Sequence, residues 1–141
     1  MPIGKNSEGR AITMKSIEQA IGIYELCVEA AEKQETLSYK DVLNHLGYEP
    51  GVPGHAIRYG LELVWLACAD AGLPLLTSII VSQSTGEPNP DGFTVKDWRE
   101  DAKRVFEHES WPTPNEIPWE YVWKSRRELS ERYETSGYWS K

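Results

Sequence analysis

Glycine and proline punctuate the middle of this chain so closely that its helix-forming runs have fixed ends, and those ends constrain the fold more than any other feature. Ser38-Tyr39-Lys40-Asp41 places a hydroxyl at a helix start with a carboxylate three residues on. Two otherwise unpaired backbone donors are then satisfied reciprocally before Val42, Leu43 and Leu46 turn toward a core. Gly47 stops that helix, and Pro50, Gly51, Pro53 and Gly54 make a turn that cannot be helical. Ile57, Leu61, Val64, Trp65 and Cys68 next recur at helical spacing until Gly72 and Pro74 end the run. Leu75 to Val81 reads as a short apolar strand. The loop from Ser82 to Gly92 holds two glycines and two prolines, too many breakers for a long second strand.

The flanks add helices. Ser16-Ile17-Glu18-Gln19 is a second capping box, after which Ile17, Ile21, Tyr24, Val28 and Ala31 form an apolar stripe to about Lys33. This stripe is expected to pack against Leu61, Val64 and Trp65. Glu18, Glu25, Glu29 and Glu32 occupy the opposite face, which reads first as a solvated surface and second as an acidic partner surface. Asp97 to His108 is helical, with Trp98, Ala102, Val105 and Phe106 on one side. Trp111, Pro112 and Pro114 break it. Pro118 opens a fifth helix that carries Trp119, Val122, Trp123, Arg126 and Tyr133 on one face.

The 141 residues fit one domain, large enough for an apolar core without a metal or disulfide. Cys27 and Cys68 both lie on apolar helical faces without a second ligand at metal spacing and read as small buried hydrophobes. No positively charged segment followed by an apolar run stands near Met1 and no run approaches a membrane span, so the expectation is a cytoplasmic protein with no membrane contact. Catalytic constellations are sparse. His45, His55 and His108 are scattered, the turn from Pro50 to Gly54 lacks the Lys and Ser/Thr of a phosphate loop, and no base is fixed beside a hydroxyl between Ser82 and Gly92. The reading is therefore of a protein that is not an enzyme and uses no cofactor or metal. Net charge is −7, and from Leu37 to Gly92 only Lys40 and Arg58 are basic against six acidic residues, which opposes nonspecific binding to nucleic acid.

Two stretches carry resemblances. Leu37 to Val42, Gly54-His55-Ala56-Ile57 and Gly72-Leu73-Pro74 through Thr85-Gly86 resemble the winged-helix domain of the alkylguanine-DNA alkyltransferases and alkyltransferase-like proteins. Where that family has Pro-Cys-His-Arg, this chain has Pro74-Leu75-Leu76-Thr77, so the resemblance does not imply alkyl transfer. Gly72 to Val81, Thr85-Gly86-Glu87-Pro88 and Gly92-Phe93 are similar to small prokaryotic and phage-borne modules that accompany nuclease and mobile-element proteins, which implies a setting of defence or counter-defence.

These features predict an α+β domain, winged-helix-like, of about five helices with a small sheet or hairpin. Residues 1–13 form a flexible arm, 14–133 the domain with its winged-helix-like centre at 37–93, and 134–141 a tail. Two functions compete. In the first, an acidic phage or mobile-element protein binds and inhibits a basic nucleic-acid-handling defence complex, of the anti-CRISPR or anti-restriction type, through Glu62, Asp70, Glu87 and Asp91. In the second, the protein is a winged-helix regulator contacting DNA weakly through Lys40, His55, Arg58 and Gln83, the loop from Gln83 to Asp91 acting as the wing. A small enzyme is a distant third.

Overall fold

A computed structural model describes residues 8–83, 86 and 98–133. Its helices and strands, in chain order, are α1 (Glu8–Glu32), β1 (Leu37–Ser38), α2 (Tyr39–His45), α3 (Arg58–Ala71), β2 (Ile80–Val81), α4 (Trp98–Glu107), α5 (Trp119–Lys124) and α6 (Arg126–Arg132). Short 3-10 turns lie at Gly54–Ile57, Leu76–Ile79 and Pro114–Glu116. The described chain is mostly helical with a two-stranded parallel sheet, an α+β arrangement. Among the described residues no helix is long and apolar enough to cross a membrane.

The capping box expected at Ser16 does not start α1, which is already helical at Glu8, so residues 8–13 are not an arm. Ala11, Met14 and Lys15 favour helix and no proline intervenes, so the turn before Ser16 continues into it. Ser16 is buried within the helix, and the buried stripe runs through Gln19, Ala20, Ile23, Tyr24, Cys27, Ala30 and Ala31. Ile17, Ile21 and Val28 lie at its margins. At the far end Gln34 takes a left-handed conformation (φ 58°), with Gln34 N donating to Ala31 O and Glu35 N to Ala30 O, which closes the last turn.

The cap at Ser38 is as the sequence predicts: Asp41 N donates to Ser38 Oγ at 3.0 Å, and Ser38 N to Asp41 Oδ2 at 2.9 Å. Gly47 (φ 85°) terminates α2 and Gly72 (φ 72°) terminates α3. Between them α3 runs through the middle of the molecule, packed on α1, the turn at Leu76–Ile79, α5 and α6. Every residue from Gly60 to Cys68 is buried. Trp65, at 7% exposure, belongs to this core together with Leu61 and Val64. At Gly60 the two central helices approach so closely that an added Cβ would lie 2.7 Å from Gln19 Cβ and 3.2 Å from Ala20 N.

Leu75 to Val81 is not the strand its apolar run suggests. Leu76–Ile79 forms a 3-10 turn, and only Ile80 and Val81 are extended, pairing in parallel register with Leu37 and Ser38. β1 is two residues long, the second being Ser38, which caps α2, so there is no partner for a longer strand. The fifth helix expected to reach Tyr133 is divided at Ser125. Ser125 N still bonds to Tyr121 O and Leu129 N to Ser125 O, so the division is a kink rather than a gap. Cys27 and Cys68 are fully buried, and burial pushes the Cys68 thiol up to about 12 and Cys27 higher. The tail at 134–141, with Tyr138 and Trp139, and most of the loop from Gln83 to Phe93 lie outside the described residues.

Candidate interaction surfaces

Of the four acidic residues expected to form one binding face, two lie within the described residues. Glu62 is 0% exposed, on the enclosed central helix, and is withdrawn from any surface. Asp70 is partly exposed but engaged: it accepts a hydrogen bond from the Tyr133 hydroxyl at 2.9 Å and lies 3.8 Å from the Arg132 guanidinium. Glu87 and Asp91 lie outside the described residues.

The residues expected to contact DNA are divided. Lys40 and Gln83 are exposed, each two positions past the paired Ser38 and Val81, so both leave the same end of the parallel sheet. His55 falls in the turn at Gly54–Ile57 that precedes α3. Arg58 is half-buried: its Nη2 donates to the Tyr59 hydroxyl at 3.3 Å and its guanidinium lies 5.0 Å from the Tyr59 ring centre. Tyr59 meets Trp123 edge to face at 6.3 Å, and Arg126 stacks over Trp123 at 4.1 Å while Arg126 Nη1 donates to Trp123 O. Partial burial, and then neighbouring Arg127, lower the Arg126 pKa. This ladder of rings and guanidiniums joins the start of α3 to the α5–α6 kink, and Arg58 serves packing there.

α1 carries an exposed acidic face. Glu18, Glu25, Glu29 and Glu32 are all exposed along it, with Lys33 Nζ bonded to Glu29 Oε1 at 2.9 Å. Beside the last three of these glutamates the chain from Trp111 to Pro114 lies against the helix. Tyr24 Oη donates to Pro112 O at 2.6 Å, Trp119 Nε1 donates to Pro114 O at 3.0 Å, and the Tyr24 and Trp119 rings meet edge to face at 5.8 Å. Glu116, accepting from Thr113 N and Oγ1, holds the following turn, and those bonds lower its pKa. Burial is the first cause of a raised Tyr24 pKa, so its hydroxyl stays a donor. The result is a groove of about 350 Å³ with an apolar floor of Val28, Trp111 and Pro112 and a rim of Glu25, Glu29 and Glu32.

A second groove, of about 390 Å³, lies between α1 and the end of α2 and mixes Lys15, Glu18, Gln19, His45 and Tyr48. Gln19 Nε2 donates to both the Tyr48 hydroxyl and Ala56 O, which spans the groove's base with a polar tie. Among the described residues no three His, Cys, Asp or Glu side chains converge as a metal site. In the sequence, Trp111, Pro112 and Pro114 read only as a helix break. Their further signal was the pairing of a large ring with two prolines, a rigid apolar strip that a breaker alone does not require. No family model, curated protein or solved structure matches this chain.

Proposed function

We propose that this chain is a non-catalytic, acidic interaction protein that binds a basic partner, a nucleic-acid-handling protein or nucleoprotein, and modulates it by covering its phosphate-binding surface. The observation that carries the reading is the enclosure of α3. The helix that a winged-helix regulator would lay in a DNA groove is buried from Gly60 to Cys68, while the exposed face of α1 presents four glutamates. A buried helix cannot read a groove, and an acidic face repels phosphate but complements the Lys- and Arg-rich surfaces that bind it. In this reading the winged-helix-like centre is a scaffold. The resemblance of Gly72 to Val81 to defence-associated modules supports a host-defence complex as the partner, which makes the protein an inhibitor of the anti-CRISPR or anti-restriction type. The DNA-regulator reading stays second, supported by Lys40 and Gln83 leaving the same end of the sheet.

The test is capture from a nuclease-treated prokaryotic lysate on the immobilised protein, compared with a variant carrying Glu18→Lys, Glu25→Lys, Glu29→Lys and Glu32→Lys. The parent is expected to retain a basic nucleic-acid-handling protein and to release it as salt rises, because the attraction is screened beyond about 8–10 Å near physiological ionic strength. The variant is expected to lose it. Retention of the same protein by both overturns the reading.

A further inference from the structure

The groove between α1 and the Trp111–Pro114 segment has two chemistries that belong to one kind of guest. Its floor is apolar and walled by an indole, and its rim carries three exposed carboxylates within two helical turns. A free inorganic cation has no use for the floor, and an aliphatic side chain has none for the rim. A lysine or arginine side chain uses both, laying its methylene stem on the floor and ring while its head reaches the carboxylates. Lys33 shows that the rim accepts such a head, since its ammonium already sits 2.9 Å from Glu29.

We infer that this groove is the docking slot for an extended basic segment of the partner, which seats one lysine or arginine side chain between Trp111 and the glutamates. The volume suits one long side chain with its flanking backbone rather than a whole helix. The inference rests on the proposed function and locates its contact. Lys33 then acts as an internal competitor for Glu29, so its removal strengthens docking.

The probe is a fluorescein-labelled peptide of four Arg-Gly repeats, titrated by fluorescence anisotropy into the full chain at low and at physiological salt. The groove predicts that Glu25→Gln, Glu29→Gln and Glu32→Gln together weaken binding about tenfold or more, and that Lys33→Met tightens it. Glu18→Gln, Glu100→Gln and Glu120→Gln, which remove the same charge elsewhere, are expected to change it little. These glutamates are exposed, so the variants keep their fold; Trp111→Ala, expected to weaken binding at unchanged salt dependence, is interpreted only alongside its melting curve. Equal losses from the two glutamate triples overturn the slot and leave the acidic-protein reading standing. No binding by the parent overturns both. Displacement of the peptide by spermine at equal charge concentration overturns the peptide as occupant, since the groove would then read charge alone.

Discussion

Gly60 sits at the closest approach of the two central helices, and it is the most sensitive small residue described. An alanine there would bring its Cβ to 2.7 Å from Gln19 Cβ, 2.9 Å from Ile23 Cδ1 and 3.2 Å from a backbone nitrogen of α1. Gly60→Ala is expected to lower stability by about 1–3 kcal/mol in urea denaturation, overpacking outweighing the gain in helix propensity. Gly22→Ala meets only the end of the Leu46 side chain, which turns aside, and is expected to be near neutral. The two thiols give a second prediction. Burial holds both protonated, with Cys68 moved from 9.0 to about 12. A raised thiol pKa favours the folded state fully below the unfolded value and costs stability as pH climbs above it, so stability should fall from about pH 9 upward. A maleimide at pH 8 is expected to leave both cysteines unlabelled until denaturant is added; rapid labelling of the native protein would show that the core opens locally. Cys27 and Cys68 were legible because small apolar residues on apolar faces bury. Glu62 was not, because a stripe drawn through Leu61, Val64, Trp65 and Cys68 leaves position 62 outside it. The missed signal was Leu63, Leu66 and Ala67, which make the helix apolar all round, the pattern of an enclosed helix.

Among the elements, α2 depends most on its own ends. At seven residues it is too short to persist alone, and the reciprocal Ser38–Asp41 bonds secure its entry. Ser38→Ala is expected to cost about 1 kcal/mol, and Asp41→Ala to cost little more once Ser38 is gone; independent costs in the double-mutant cycle would show that the two bonds do not act as a unit. Caps and stops of this kind were readable because each depends on a few adjacent residues. Extents were harder. The span from Leu76 to Ile79 has strand-like composition, yet it forms a 3-10 turn because its length of extended chain is set by a two-residue partner far away in sequence. The Trp111–Pro114 wall of the groove was likewise visible as residues but not as a site, since Pro112 meets Tyr24 of α1, 88 positions earlier.

For the whole molecule the decisive quantity is charge. Net charge is −7, and from Leu37 to Gly92 the two basic residues are Lys40 and Arg58, of which Arg58 is engaged against a ring. Affinity for random duplex DNA at physiological salt is expected to be weaker than micromolar; submicromolar binding in a gel-shift or anisotropy titration would return the regulator reading to first place. The parallel pairing of β1 with β2 has one more consequence. The two strands cannot meet until the chain between them has wrapped back on itself, yet the turn within that excursion, from Glu49 to Pro53, is exposed at four of its five residues. A peptide bond broken there severs no paired strand and no buried helix. The piece ending at Glu49 keeps α1 and β1, the piece beginning beyond it keeps α3 and β2, and each carries the surface the other lacks. A chain nicked after Glu49 is therefore expected to stay associated as two unequal pieces, of 49 and 92 residues, and to elute as one species in gel filtration.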